Sequence, residues 1–491
     1  MTSKYFSPYK VFLVLIVLTY AAVILLLSKN LNSPNLWFDE SGQFWMSKGL
    51  NHFSAPFQQS GNIQDAMHQN NVYNLDPGGF TILLHYWSEF YTGHIWLRLL
   101  PFIFFILTIL SFALTAYLWS KDLLLSLILG LLPAMSPMLV QYGFEVRAYS
   151  MEYLSTALTV LFITDIKTKD ISYRKILIYG CIFAFLITSR YSAAIPVAVF
   201  CVIFFIHSLG KNFNIRQTIT MNLCLSLPIA VSAIAIYLLA LRYQNPEITP
   251  PDYIKDITLK YGYEFIKTKR FIFYNFNFFL FIALLIYSEM SKMNFSYKFR
   301  PLLFIILINN LLLIILSILG KHAWDITSRW CISLNLLSMI TLAASVCLVF
   351  HILDEKLNNY RQNIRAIFIF FSCAGFIAGQ TILNLGYKES DHTYDLLRSI
   401  NLTRNTNVFI SRNTSSSLRY LYEYGALKNL PVSKLYPKIF KMSNLNMLET
   451  LNNVDPSKYS FVLLSQNLKI SYSNSINWQQ IDTEGNLWKK K

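Results

Sequence analysis

The chain has 491 residues, of which 54% are hydrophobic and only 14% charged, and its mean hydropathy of +0.40 excludes an ordinary soluble enzyme. The net charge of +16 is spread over short loops and the tail rather than gathered on one aromatic-rich face. It reads as topology signals and contacts with anionic membrane lipid, not as a nucleic-acid surface. Cys181, Cys201, Cys224, Cys331, Cys347 and Cys373 all fall in apolar runs without CxxC spacing, so neither a disulfide framework nor a zinc site is indicated.

Apolar runs of about 17 to 24 residues, long enough for a hydrocarbon layer of roughly 30 Å, recur through the first four fifths of the chain. The first, Val11 to Leu27, follows Lys4 and Lys10 and lacks a small-residue cleavage pattern, so it reads as a retained signal anchor. Ile95 to Leu118, Leu123 to Val140, Tyr149 to Ile166, Ile171 to Ser189 and Tyr191 to Leu209 come next. Ile219 to Leu241, Phe271 to Tyr287, Leu302 to Leu319, Trp330 to Leu353 and Ala366 to Leu385 complete eleven expected spans. The fifth requires Arg174 and Lys175 to snorkel to the interface. A cytoplasmic N-terminus puts Lys167 to Lys175, Lys211 to Arg216, Lys292 to Arg300 and Lys356 to Arg365 in the cytoplasm, as the positive-inside rule favours, and the C-terminus outside.

Two external loops are long: residues 28–94, and Arg242 to Arg270 with Pro246, Pro250 and Pro251. After Leu385 hydropathy drops. Strand signals at Asn407 to Ser411 and Tyr459 to Leu464, with helical signals at Ser416 to Ala426 and Leu445 to Leu451, predict a small α/β domain. The expected organisation is a polytopic α-helical membrane domain over 1–385 and an extracytoplasmic α/β domain over 386–491, with no internal repeat.

Candidate chemistry falls at the ends of spans. Asp39 and Glu40 are adjacent acids in Asn35-Leu-Trp-Phe-Asp-Glu-Ser-Gly42, suited to general-base work or simply solvated. In Tyr73-Asn-Leu-Asp-Pro-Gly-Gly-Phe80, the turn residues present Asp76 at the start of a short apolar helix ending near Trp87, as a site acid or a cap. Arg98 lies three residues into the second span, close enough to the interface to snorkel as a headgroup anchor. Glu145 and Arg147 lie between the third and fourth spans, where they could also pair with each other; Arg190 and Arg329 occupy later turns. Under the topology above, all of these groups share the external face.

From Trp37 to Trp330 the chain resembles the integral-membrane GT-C glycosyltransferases that use polyprenyl-phosphate sugars, including protein O-mannosyltransferases and the aminoarabinose transferases of lipid A. Asp39-Glu40 looks like the family's acid pair. Asp76-Pro77, His85-Tyr-Trp87 and Arg98-Leu-Leu-Pro101 are similar to its later motifs, although Gly78-Gly79 stands where a second proline is common and one extra leucine precedes Pro101. Tyr142-Gly-Phe-Glu-Val-Arg-Ala-Tyr149 is similar to a Tyr-Ser-Gln-Glu-Ala-Arg-Met-Tyr stretch, with Phe144 in place of a polar residue. Ser189-Arg-Tyr191 and Arg329-Trp330 resemble its Lys-Tyr turn and late Arg-Tyr pair.

The resemblance implies inverting sugar transfer from a polyprenyl-phosphate donor to a hydroxyl of a glycan, lipid or protein acceptor. It implies Asp39 as base with Glu40 in support, Asp76 and Glu145 orienting acceptor or site, and Arg147, Arg190, Arg329 and Arg98 on the donor phosphate. Trp37, Trp45, Tyr73 and Trp87 could stack on sugars or form an interfacial belt. A divalent metal beside Asp39, Asp76 and Glu145 stays open, though no spacing requires one. The competing reading is a secondary transporter or flippase of a lipid-linked or small polar substrate, which would place ionisable groups at the middle of its spans. The resemblance also implies a bacterial inner-membrane location.

Overall fold

The computed structural model describes residues 8–51, 57–168, 172–210, 215–244, 251–266, 269–293, 295–325, 329–356, 361–382, 394, 408–410, 412–429, 440–442, 461–463, 478–480 and 487–490. Pro246, Pro250 and the helical stretch expected at Leu445 to Leu451 lie outside them. In chain order the first helices are α1 (Pro8–Ser28), α2 (Phe38–Ser47), α3 (Ile63–Tyr73), α4 (Gly79–Phe90), α5 (His94–Ser120) and α6 (Leu123–Gly130). Next come α7 (Pro137–Phe144), α8 (Tyr149–Thr168), α9 (Tyr173–Leu186), α10 (Ala194–Gly210), α11 (Ile215–Leu239) and α12 (Pro251–Ile266). The last are α13 (Lys269–Met290), α14 (Arg300–Ile318), α15 (Ile332–Lys356), α16 (Arg361–Ile382) and α17 (Arg412–Glu423). The chain divides into two compact units: Met1–Asn30 with Asn74–Phe80 and Pro101–Tyr387, and Leu31–Tyr73 with Thr81–Leu100 and Lys388–Lys491.

Among the described residues each of the eleven apolar segments falls mainly on a helix, or for the third on a helix pair. Six helical stretches are long and apolar enough to cross a membrane: Lys10–Asn32, His94–Ser120, Tyr191–Gly210, Ile215–Tyr243, Ser296–Ile318 and Arg329–Glu355. The third segment is bent by 75° between Leu123–Met135 and Pro137–Phe144 and makes a seventh if counted as one span. Eleven crossings are therefore not reached by length and hydropathy among the described residues. The physical reasons are local: α9 has 14 residues, about 21 Å at 1.5 Å per residue, and α8 carries Glu152 and Asp165.

The bend of the third segment has its causes in the sequence. Asp122 caps α6 by accepting from Leu125 N at 3.1 Å, and Ser136 starts a new helix by accepting from Leu139 N at 3.4 Å. Pro137 then occupies the first position of α7, where its missing N–H costs nothing.

Several charges within this unit are paired. Lys175, expected to snorkel, instead meets the Asp165 carboxylate, which also accepts the Tyr179 hydroxyl. Arg365 at the start of α16 reaches Asp122 at 2.8 Å and Asp354 at 2.7 Å, tying α16 to the cap of α6 and the end of α15.

In the second unit, the short helices of the first long loop share a core with the C-terminal segment. Trp87 and Trp96 stack at 4.3 Å and exchange indole N–H bonds to each other's carbonyls, at 2.8 and 2.9 Å, which closes the turn between α4 and α5. Beyond Tyr387 the described strands are β1 (Val408–Ile410), β2 (Phe440–Met442), β3 (Phe461–Leu463), β4 (Trp478–Gln480) and β5 (Leu487–Lys490). They form one sheet in the order β2-β1-β3-β5-β4, with β1 parallel to β2 and β3, and β5 antiparallel to β3 and β4.

Candidate active site

The Asp-Pro-Gly-Gly turn explains its own departure from a second proline. Gly78 adopts φ +95°, a left-handed value that proline's ring forbids. A Cβ at Gly79 would meet Thr188 Oγ1 and lie 2.5 Å from Thr188 Cβ and 2.6 Å from its carbonyl oxygen. Without one, Gly79 N donates to Thr188 O at 2.9 Å, and the turn carrying Asp76 is fastened to the turn carrying Arg190. Gln244 adds a second tie, donating to Asp76 O at 3.1 Å while accepting from Tyr191 OH at 3.1 Å.

Three guanidinium groups gather on Tyr149, which is itself buried at the start of α8. Arg190 lies over its ring at 4.7 Å and Arg147 at 5.8 Å, while Arg329 Nη1 donates to its hydroxyl at 3.3 Å. Arg190 also donates to Glu152 Oε2 at 2.7 Å, to Arg329 O at 3.2 Å and to Asp76 Oδ1 at 3.4 Å. Arg147 approaches Asp76 Oδ2 at 3.9 Å. The contacts to Asp76 exceed the roughly 2.7–2.9 Å of a tight charge-assisted bond, and Asp76 is a counterion to both arginines.

Glu152 is the anchor of this cluster: fully buried, it accepts from both Arg190 and Ser192, the latter at 2.7 Å. His322, on the segment before Arg329, feels the charge of Arg190. Its Nδ1 faces Ala323 O at 3.0 Å, which places the proton on Nδ1, and burial reinforced by Arg190 pulls the imidazole down to about 4. It is therefore neutral at neutral pH.

In the second unit, Asp39 and Glu40 occupy the first turn of α2, where the helix dipole favours carboxylates. Glu40 Oε2 accepts from Trp37 N at 3.2 Å and thereby starts the helix. Both Glu40 oxygens also bind Arg98, at 2.7 and 3.0 Å, and Arg98 Nη2 donates to Asn35 O at 2.6 Å. The side chains of Glu40 and Arg98 are 0% exposed. Asp39 is half-buried. Gln43, one turn on, donates to Thr81 Oγ1 at 2.7 Å, and Thr81 passes the chain to Asn70 at 2.6 Å.

The predicted residues thus separate into two constellations, each within its own unit. Asp76, Arg147, Arg190 and Arg329 come together. Glu145, buried at the end of α7, accepts from Gln141 at 3.3 Å. Glu40 and Arg98, expected as supporting acid and phosphate ligand, are one buried ion pair. Of the aromatics, Trp45 is buried among protein rings and Trp87 is stacked on Trp96. Sequence reasoning missed Glu152, Tyr149 and His322. For Glu152 there was a signal: with Ser155, Thr156 and Thr159 it forms a polar stripe at helical spacing on an otherwise apolar span, and all four are fully buried.

For a divalent metal the fit is poor: among the described residues no three His, Cys, Asp or Glu side chains converge, and Asp76 faces guanidinium groups instead.

No protein-family model and no curated protein sequence matches the chain. Its structure is similar to that of ArnT from Cupriavidus metallidurans in the apo state, with TM-score 0.52 and 11% identity over 96% of this chain and 97% of that one. ArnT bound to undecaprenyl phosphate gives 0.48 and 12% over the same shares. The Archaeoglobus fulgidus oligosaccharyltransferase in complex with Zn and sulfate gives 0.47 and 14%, over 92% of this chain and 67% of that one. At these identities the likeness is one of fold alone.

Proposed function

We propose that the chain is a membrane glycosyltransferase that moves a sugar, with inversion, from a polyprenyl-phosphate donor to an acceptor hydroxyl on the outer face of a bacterial inner membrane. In this reading the N-terminus is cytoplasmic and the C-terminus extracytoplasmic. The observation that carries it is the convergence of Arg147, Arg190 and Arg329 on Tyr149, with Asp76 as a counterion. The GT-C fold supports glycosyl transfer in general.

The chemistry follows from charge. The acceptor oxygen forms a bond to the anomeric carbon as the bond from that carbon to the phosphate oxygen breaks. The acceptor proton passes to a general base, the role that the acid-pair resemblance gives to Asp39, and the donor phosphodiester monoanion leaves as a phosphomonoester dianion. A cluster of fixed guanidinium groups stabilises that added negative charge more in the transition state than in the ground state, which is what lowers a barrier. Asp76, held at 3.4 and 3.9 Å, can yield its two arginines to the phosphate. Glu152 keeps Arg190 in place throughout. Glu40 and Arg98 set the first turn of α2, and Glu145 shapes the turn before Arg147.

The test is mass spectrometry of lipid-linked sugars and surface glycans in cells with and without the protein. Accumulation of one polyprenyl-phosphate sugar with loss of a glycan supports the proposal and identifies both substrates. Unchanged glycans with loss of uptake or flipping of a polar substrate would overturn it in favour of a transporter.

A further inference from the structure

We propose that α17, in the C-terminal segment, is a positioning element for the acid-bearing helix α2, with Arg419, Ser416 and Tyr420 fixing how α2 is rotated and hence where Asp39 projects. The proposal deepens the reading of Asp39 as base and rests on it for its catalytic meaning.

Ser41, Phe44 and Trp45 stand at positions i, i+3 and i+4 of α2 and so share one helix face. All three meet α17. Ser41 Oγ lies 2.8 Å from Ser416 Oγ, and the Trp45 indole N–H donates to Ser416 O at 3.1 Å. Phe44 packs edge-on against Tyr420 and Tyr424, at 5.1 and 5.3 Å. The Arg419 guanidinium covers the Trp45 ring at 3.9 Å and is held there by Glu423, which accepts from Arg419 Nε at 2.8 Å.

This is a directional interface, not merely an apolar one. A hydroxyl pair, an indole N–H bond and a cation over a ring each fix orientation as well as distance. The segment before the helix is held from the same part of the chain, because Tyr394 N donates to Asn35 Oδ1 at 2.8 Å while Asn35 O accepts from Arg98. Asp39, two residues before Ser41, is turned by about 200° around the helix at 3.6 residues per turn. A face locked at Ser41, Phe44 and Trp45 therefore leaves Asp39 on the side away from α17. Displacement of a reacting group by 1 Å costs on the order of a hundredfold in rate, so a helix carrying a base needs such a lock.

The experiment uses the full chain in detergent, with Arg419→Met, Arg419→Lys and Trp45→Phe. Two readouts are taken: amide exchange across Phe38–Ser47, with Tyr149–Thr168 as internal control, and the rate of carbodiimide plus glycine ethyl ester labelling of Asp39 at one fixed pH. Arg419→Met is expected to raise exchange in α2 by about tenfold while leaving α8 unchanged, and to change the rate at which Asp39 is labelled by at least about twofold. Arg419→Lys should restore most of both. Should Arg419→Met not fold, Trp45→Phe decides, since it keeps an aromatic ring under Arg419 while removing the indole N–H that binds Ser416 O. Wild-type exchange and labelling in the folded variants would overturn the proposal. Neither readout requires sugar transfer, so an active Asp39→Asn enzyme would remove the base assignment and leave the positioning result standing.

Discussion

Replacing Glu40 by Gln should destabilise the protein while Glu40→Leu combined with Arg98→Met should recover much of the loss. The pair is fully buried, bidentate at 2.7 and 3.0 Å, and shared with Asn35 O at 2.6 Å and Trp37 N at 3.2 Å. Gln keeps an acceptor for Arg98 but removes the charge that compensates the guanidinium. An uncompensated buried charge costs about 3–5 kcal/mol, whereas removing both partners in favour of apolar side chains is often close to neutral. The single variant should sit toward the lower end of that range because one hydrogen bond survives, and even that is on the order of a hundredfold in the unfolded population. The assay is thermal unfolding of the detergent-solubilised protein, with tryptophan fluorescence reporting Trp37 and Trp45 near the pair. A Glu40→Gln Tm equal to wild type, or a double variant with the summed loss of both singles, would refute the reasoning.

Asp39→Asn should lower transfer by about a hundredfold or more, in line with loss of a general base, with membrane insertion intact; full activity removes the assignment. Arg329→Ala should weaken donor binding more than acceptor binding, raising the donor KM by about tenfold for one charge-assisted contact; an unchanged donor KM counts against a phosphate role. Gly79→Ala should destabilise by about 1–3 kcal/mol through overpacking, and Thr188→Ala should not rescue it, because the Thr188 carbonyl oxygen would still lie 2.6 Å from the new Cβ. His322 is depressed to about 4 in the fold against about 6.5 unfolded. Its contribution is therefore present above about pH 6.5 and is lost as pH falls toward 4, because the unfolded chain takes up the proton first. A His322→Asn variant should flatten stability across that window, and an unchanged pH profile would show that the imidazole is not held neutral.

Much of the scaffold was legible because hydropathy is a local sum. Each apolar segment fell mainly on a helix, and the strand signals at Asn407 to Ser411 and Tyr459 to Leu464 fell on β1 and β3. Local chemistry also announced the Asp76 turn, since Pro77, Gly78 and Gly79 punctuate the chain whatever surrounds them. What misled was treating each span as uniform. Ser136-Pro137 broke the third, and Glu152 was overlooked inside the fourth because an acid there lowers the hydropathy of the segment without interrupting its helix.

Pairings were not legible. Arg98 carries the same local signature whether it faces lipid phosphate or Glu40, and the distinction rests on a residue 58 positions earlier. Arg190 meets Asp76 across 114 positions and Arg329 O across 139, and the meaning of all three depends on that meeting. The sequence by itself determined the membrane class, the helices and the residue types available at their ends, since these follow from solvent preference and short-range sterics. Only the tertiary structure decided that three arginines share Tyr149, that Glu40 and Arg98 neutralise each other, and that α2 is held by α17, because electrostatic and packing partners are set by proximity in space, which no window along the chain contains.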